Sequence, residues 1–216
     1  MKLLPVALAA LLLSSAVSAQ TLTATHTANV VDRNNEGTTS DWYLTVNYWD
    51  AAPNVGLFQF DLTGVTSVSS AVLNLFHQWN NWETASFAVY RNTSAWTNGV
   101  TSNWATLPSV DATPAAVLNL VVGAYDQNET YSLDVTSTVA GWVDGTYANY
   151  GFTLARTDAP NPYLYFQGGT AQEHPVTLQL NAVPEPSTYA LMIGGVALLG
   201  WRAPMLSRSG PVRMVP

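Results

Sequence analysis

The sequence contains no cysteine and, between residues 20 and 182, no lysine. Without cysteine there are no disulfides, no thiol nucleophile and no cysteine-ligated metal site, so an exported domain must be stabilised by its core. The same stretch has three basic against thirteen acidic residues, a formal charge of −10. Such a surface repels phosphates, which excludes nucleic acid as a partner. An acidic, tryptophan-rich surface is suited instead to neutral sugars, to calcium or to solubility outside the cell.

The sequence also lacks an apolar run of the ~20 residues that an ordinary membrane span needs. Its two apolar runs are shorter and lie near the two ends of the chain. The first, residues 3–13, follows Met1 and Lys2 and precedes small residues that end at Ala19. This arrangement is typical of a secretory signal peptide, so we predict a signal peptide over residues 1–19 and cleavage after it.

The second apolar run, residues 189–201, follows Pro184, Glu185 and Pro186 and ends before Arg202. Proline is incompatible with the interior of a helix or a central strand, so the segment before the run is predicted to be an extended, accessible linker. The order of motif, apolar run and basic edge resembles the PEP-CTERM sorting signal of exported bacterial proteins.

This resemblance implies that residues 183–216 combine a sorting motif, a short transmembrane helix and a basic tail. It implies transient partnership with the membrane enzyme exosortase and contact with the inner membrane during sorting. The implied location is export from a Gram-negative-type bacterium, with membrane association before processing and then the cell surface or extracellular matrix. The family signal normally has a tight basic cluster, whereas here Arg202, Arg208 and Arg213 are spread along the tail.

Residues 20–182 show short period-two runs of apolar and β-branched residues between turn residues. This pattern predicts one all-β domain, a sandwich of two sheets built from roughly ten strands. The predicted strands are 21–31, four strands that include Leu44, Phe58, Leu73 and Phe87, and 117–122, 131–133, 151–154, 163–166 and 176–180.

One segment departs from this alternation. Val135, Val139 and Trp142 recur at spacings of four and three, which places them on one face of a helix. We predict a short helix over residues 136–144, with the threonine at its start as N-cap and Gly145 at its end.

Five short motifs occur in an order that resembles a DNRLRE-type domain. They are residues 57–62, 71–75, 89–91 with Trp96 and Trp104, 133–136 with Trp142 and Gly145, and 149–152. The resemblance spans about residues 21–180 and implies a jelly-roll-like sandwich of the carbohydrate-binding-module kind, usually non-catalytic. The charged Arg-Glu pair common near the end of that family is replaced here by residues 167–169, Gln-Gly-Gly.

A polar loop predicted after the first strand contains Asp32, Asn34 and Glu36, followed by Gly37. Oxygen ligands at every second residue resemble the start of an EF-hand loop. The twelfth position is Tyr43 rather than a bidentate glutamate, which excludes a true EF-hand. A looser structural Ca²⁺ site at these three side chains is one interpretation, and a hydrated loop is the other.

Three tryptophans lie in polar stretches that give a large ring little to pack against: Trp49, Trp79 and Trp82. Exposed aromatic rings stack on sugar rings, and neighbouring amides and carboxylates such as Asn80 and Glu83 bind sugar hydroxyls. We therefore predict a glycan-binding surface at these five residues. The alternative is that the rings fold back over the sandwich edge. The remaining tryptophans of the domain are assigned to packing: Trp42, Trp96, Trp104 and Trp142.

The three histidines lie in no recognisable catalytic motif, and acids on a sandwich surface are mostly solvated. We therefore predict no enzyme activity. The predicted function is that of an exported, non-catalytic envelope or extracellular-matrix protein whose sandwich binds polysaccharide. The alternatives are a structural surface or biofilm protein with no specific glycan ligand and, third, a polysaccharide hydrolase or lyase.

Overall fold

The computed structural model of the chain describes residues 19–30, 43–49, 52–80, 84–96, 107–121, 128–157, 164–168 and 173–182. Ser18–Ala182 form one compact unit. The described strands pair only with one another, and the described core lies within the same unit. This unit therefore has the partners it needs to fold on its own.

The described residues form eleven strands and one helix, which confirms the all-β prediction with a single short helix. The elements are β1 Ala19–Thr23, β2 His26–Val30, β3 Tyr43–Trp49, β4 Ala52–Gln59, β5 Ser70–Asn80, β6 Thr84–Arg91, β7 Ala116–Val121, β8 Glu129–Asp134, α1 Thr136–Val143, β9 Phe152–Arg156, β10 Leu164–Gln167 and β11 Thr177–Asn181.

The strands form two antiparallel sheets that share one strand. In the first sheet, β5 pairs with β8 on one side and with β11 and then β10 on the other, while β1 lies outside β11. The second sheet has the order β2-β4-β9-β6-β7. Strand β3 pairs with β10 through its first residues and with β4 through its last ones, so it joins the sheets.

The core lies between the two sheets because apolar side chains alternate along their facing strands. Leu73 and Leu75 are fully buried on the first sheet, and Phe58 and Phe152 on the second. The rings of Phe87 and Phe166, one from each sheet, meet edge to face at 5.6 Å between centroids. Burying each such ring stabilises the fold by about 2–3 kcal/mol relative to leaving it exposed.

A second, smaller cluster forms around β2 and β4. It contains Ala28, Val30, Val55 and Leu57, with Trp96 packed against it. Leu57 and Phe58 are consecutive strand residues and belong to different clusters, so this part of the second sheet is apolar on both faces. The packing role predicted for Trp96 is confirmed.

The strand predicted over residues 21–31 is in fact two strands, β1 and β2, which belong to different sheets. The chain changes sheets at Ala24 and Thr25. The Ala24 N–H donates to the Val176 carbonyl at 3.0 Å, and the Thr25 N–H donates to the Gln59 carbonyl at 2.8 Å. The prediction of one strand was wrong because pairing with two distant segments, rather than the local alternation, breaks the strand.

The helix prediction is confirmed except at its start. Thr136 is the first helical residue, and the N-cap residue Val135 makes no side-chain capping bond. Asp134 supplies the acceptor instead: its Oδ1 accepts from the Thr136 N–H at 2.9 Å and from the Thr136 hydroxyl at 2.6 Å. Gly145 follows the helix with φ +80°, a left-handed conformation that ends it as predicted.

Candidate functional site

The predicted glycan-binding residues whose backbone is described lie at strand ends. Trp49 is the last residue of β3, and Trp79 and Asn80 are the last residues of β5. The polar stretch around Trp79, which the sequence predicted to be turn-like, therefore continues a strand. Trp82 and Glu83 lie outside the described residues.

Strand register brings these ends together. Val46 of β3 and Asn80 of β5 both lie opposite Leu164 of β10. Strands β3 and β5 therefore run in the same direction on the two sides of β10, about 10 Å apart. Trp49 lies three residues beyond Val46 and Trp79 one residue before Asn80, so both occupy one end of the first sheet, here called the tryptophan end.

A bulge in β5 lies next to these residues. Trp79 pairs with Tyr165 and His77 pairs with Phe166, which leaves Gln78 as an extra residue between them. Bulges bend a strand and increase its local twist, and they occur often beside binding sites. The end of β5 that carries Trp79 is thus locally distinct from the regular strand before it.

By their pairing, the end of β2, the start of β4, the start of β6 and the end of β7 lie on this side of the sandwich. The segments that join the strand ends of this side in sequence are acidic. These segments, residues 31–42, 50–51, 81–83, 122–127 and 158–163, contain one basic residue, Arg33. They contain seven of the thirteen acidic residues of the domain: Asp32, Glu36, Asp41, Asp50, Glu83, Asp126 and Asp158. The predicted calcium ligands Asp32, Asn34 and Glu36 lie outside the described residues, as do Pro184, Glu185 and Pro186 of the predicted sorting motif.

The opposite end of the sandwich, here called the terminal end, contains both ends of the domain. Ala19 of β1 lies opposite Asn181 of β11, which in turn lies opposite Ser70 at the start of β5. Helix α1 packs beside this end, with the indole of Trp142 at 4.6 Å from the ring of Phe152. Trp142 is 7 % exposed, so the packing role predicted for it is confirmed.

The terminal end has a cleft of about 450 Å³ that sequence reasoning did not find. Its lining residues are Thr25, His26, Gln59, Phe60, Asp61, Leu62, Thr63 and Asn149. Many of its polar atoms bond to one another. Gln59 Nε2 donates to the Asn149 carbonyl at 2.8 Å, and Asn149 Nδ2 donates to the Phe60 carbonyl at 2.9 Å.

Among the described residues that line this cleft, Asp61 is the one carboxylate. Hydrogen bonds from the Thr63 side chain and backbone lower the pKa of Asp61 below its ordinary value. An aspartate followed two residues later by a threonine predicts a turn in which the carboxylate accepts from the later residue. This sequence pattern could have identified the Asp61 part of the cleft. Glycoside cleavage uses a pair of carboxylates, and the described lining residues supply one, which can accept hydrogen bonds.

Tyr147, an exposed aromatic residue at the same end, has one face of its ring covered by an arginine side chain. Tyr147 is 41 % exposed, but the Arg91 guanidinium lies over its ring at 3.9 Å from the centroid. Arg91 also forms a bidentate ion pair with Asp111, with N–O distances of 2.7 and 2.8 Å. A Cβ added to Gly141 would collide with the Tyr147 ring, so this aromatic residue packs against the helix. It is a structural clamp rather than a free stacking surface.

The motifs that resemble the DNRLRE-type domain have structural roles here. Asn92 Nδ2 and Trp96 Nε1 donate to the same carbonyl, that of Tyr150, at 3.0 and 2.7 Å. Asn149 Oδ1 accepts from the Gly151 N–H at 3.1 Å. Gly151 has φ +77°, and a Cβ there would collide with the backbone of β4. These residues fix the loop before β9 against β4 and β6.

The three histidines are dispersed. His77 is buried, with its ring 5.5 Å from that of Phe166, while His174 stacks on Phe76 at 4.0 Å between centroids and His26 lines the cleft. Within the part of the chain that the structure describes, no three His, Asp or Glu side chains form a group able to hold a metal ion. The same residues include no helix that is long and apolar enough to cross a membrane.

Comparison with known proteins gives two family matches. Residues 18–182 match carbohydrate-binding module family 96, and residues 182–203 match the PEP-CTERM protein-sorting motif. No curated protein matches the chain. The second match indicates a signal for export and exosortase processing. Both resemblances inferred from the sequence are confirmed, and because the first match covers most of the chain, the chain belongs to carbohydrate-binding module family 96.

Proposed function

We propose that this chain is an exported, non-catalytic protein whose sandwich binds an extracellular polysaccharide at the tryptophan end. The sorting signal delivers it through exosortase to the cell surface or extracellular matrix. Family membership supports carbohydrate binding as the activity, and the −10 charge of residues 20–182 favours a neutral polymer over an anionic one.

The observation that carries the location of the site is the convergence of Trp49, Trp79 and Asn80 at one sheet end. Trp49 and Trp79 come from β3 and β5, which are not consecutive in sequence and flank β10. Aromatic rings beside amide groups match the chemistry of sugar rings, which have apolar faces and polar edges. Trp82 and Glu83 follow Asn80 closely in sequence and extend the same set.

The cleft at the terminal end is a weaker candidate for this ligand. Gln59 and Asn149 already satisfy one another or the backbone, so a sugar must compete with existing hydrogen bonds. Phe60, the aromatic residue in its lining, is 1 % exposed and offers no stacking face. The exposed aromatic residue Tyr147 is covered by Arg91.

The test is the paired replacement Trp79→Ala with Trp82→Ala in a protein of residues 18–182. Each stacking ring contributes about 1 kcal/mol, so the pair should weaken binding by roughly 30-fold. Binding is measured by affinity electrophoresis in the host's exopolysaccharide and in a panel of neutral and anionic polysaccharides. Thermal melting is followed on the same samples.

The matched control is Tyr147→Ala, which removes an exposed aromatic residue at the terminal end and should leave binding unchanged. A double tryptophan variant that melts at a lower temperature but is retarded in the gel as before would show that these rings belong to the core. The interpretation as a structural surface protein would then hold. Failure of the unmodified domain to bind any polysaccharide would end the proposal altogether.

A further inference from the structure

The domain begins and ends at the same place on the sandwich. Ala19 pairs with Asn181 in neighbouring strands, and the Ser69 N–H and hydroxyl donate to the Asn181 carbonyl at 2.8 and 2.9 Å. The last residue of the compact unit, Ala182, follows directly. The chain that continues into the sorting signal therefore leaves the sandwich from the terminal end.

Strand β5 links this exit point to the proposed binding residues. Asn181 lies opposite Ser70, the first residue of β5, whereas Trp79 and Asn80 are the last residues of the same strand. At about 3.3 Å per residue, the nine steps from Ser70 to Trp79 span roughly 30 Å. Strand β3 places Trp49 farther along the same direction.

We infer that the sandwich has two opposed ends, one for attachment and one for binding, and that it bridges the envelope to polysaccharide. Attachment through the C-terminal segment leaves the tryptophan end open to polymer, because the attachment point is a full strand length away. Many copies held this way on one surface would engage one polymer together, which raises the effective affinity without any new contact. This inference rests on the proposed function, since it uses the same binding residues.

The absence of cysteine gives a clean test, because one introduced cysteine is the unique attachment point. Two variants of residues 18–182 are biotinylated through a thiol and held on a streptavidin surface. Thr66→Cys places the attachment at the terminal end, where Thr66 is exposed. Ala51→Cys places it in the sequence between Trp49 and Ala52, which pair with each other at the tryptophan end.

Binding of the host's exopolysaccharide is measured per immobilised molecule. The Thr66→Cys surface should bind as the free domain does, and the Ala51→Cys surface should lose at least ~10-fold, because the surface blocks simultaneous engagement. The labelled variants are also compared free in solution by affinity electrophoresis. A loss of retardation confined to labelled Ala51→Cys also places the site at that end.

Equal binding by the two surfaces would overturn the inference, because attachment beside Trp49 would then not matter. A stronger loss on the Thr66→Cys surface would overturn it too and would move the site to the terminal end. Both outcomes require that the unlabelled domain is retarded in gels. If it is not, the proposed function itself fails, so the two failures are distinguishable.

Discussion

The two ends of the sandwich differ in the contacts that stabilise them and in the residues available to a ligand. The terminal end has helix α1, the buried indole of Trp142 and the clamp of Tyr147 by Arg91. The tryptophan end has the last residues of β3 and β5. The segments that follow these strands in sequence, residues 50–51 and 81–83, are short and each contains one acidic residue. Many polar groups of the terminal end bond to one another, whereas the tryptophan end has aromatic, amide and carboxylate residues in sequence positions suited to a ligand.

The motifs that identify the family belong mainly to the terminal end. Trp96, Asn149 and Gly151 fix backbone segments there, with Asn92 directly after the third motif, and Asp134 accepts from the first turn of the helix. Their roles are structural, so a match to these motifs reports the fold. If the proposed site is correct, the choice of ligand depends on the tryptophan end, and members of the family with different ligands should differ there.

The largest expected effect on stability is at the terminal end. Trp142→Ala should lower the free energy of unfolding by about 3–5 kcal/mol, because it leaves a cavity between α1 and β9. Urea unfolding measures this loss, and polysaccharide binding should persist at temperatures where the variant is folded. Within the described residues Trp142 Nε1 has no hydrogen-bond partner, so Trp142→Phe loses volume but no bond and is the milder control. A loss below about 1 kcal/mol for the alanine variant would contradict the description of Trp142 as part of the core.

A second prediction concerns the predicted calcium ligands, which lie in sequence between β2 and β3. If Asp32, Asn34 and Glu36 hold Ca²⁺ in the native state only, calcium at ~100-fold excess over its dissociation constant adds ~2.7 kcal/mol to the free energy of unfolding. Thermal melting with calcium and with EDTA measures the effect, and Asp32→Asn with Glu36→Gln should abolish it. Melting that is indifferent to both additives would leave the loop merely hydrated.

The smallest effect is a pH dependence of the terminal end. The pKa values of Asp61, Asp134 and Asp144 are all lowered by hydrogen bonds from the threonine two residues later. A lowered pKa in the folded state stabilises the protein above the ordinary carboxyl pKa near 4, and this stabilisation is lost as the pH falls through the lowered values. The urea midpoint should therefore be flat above about pH 5 and fall in acid.

Asparagine at the three positions keeps an oxygen acceptor but cannot titrate, so the triple variant should lose less stability between pH 5 and pH 3 than the unmodified domain. Because other acidic residues titrate in the same range, the difference between the two curves, rather than either curve alone, is the test. Parallel curves would show that these carboxylates contribute nothing.

The strand alternation predicts the sandwich because it is a local property. Leu73, Leu75, Phe58 and Phe60 are buried as their spacing indicates. The alternation of a segment does not show which other strand that segment pairs with. Residues 21–30 alternate over most of their length, yet they divide between two sheets, because the N–H groups of Ala24 and Thr25 donate to the carbonyls of Val176 and Gln59, which lie beside different sheets.

The candidate site was predictable in its residue types but not in its assembly. Trp79 and Asn80 lie in a polar stretch that is typical of a turn, and pairing with β10 makes this part of it a strand. The proximity of Trp49 depends on β10 as well, a strand more than eighty residues beyond Trp79 in the sequence. The cleft is a similar case, because His26, Gln59 and Asn149 meet only through pairing of β2 with β4 and through the loop before β9.

The pairing of β1 with β11 has a consequence for the order in which the protein folds during export. The first strand to cross the membrane has β11, the last strand of the domain, as its described partner. Contacts between such distant segments form slowly, because a large loop must close before they are made. The first sheet is therefore completed only after residues 177–181 have emerged, immediately ahead of the sorting segment. Completion of the fold and emergence of that segment thus coincide in time, and a chain truncated before β11 would leave β1 without its described partner, as an edge strand prone to aggregation.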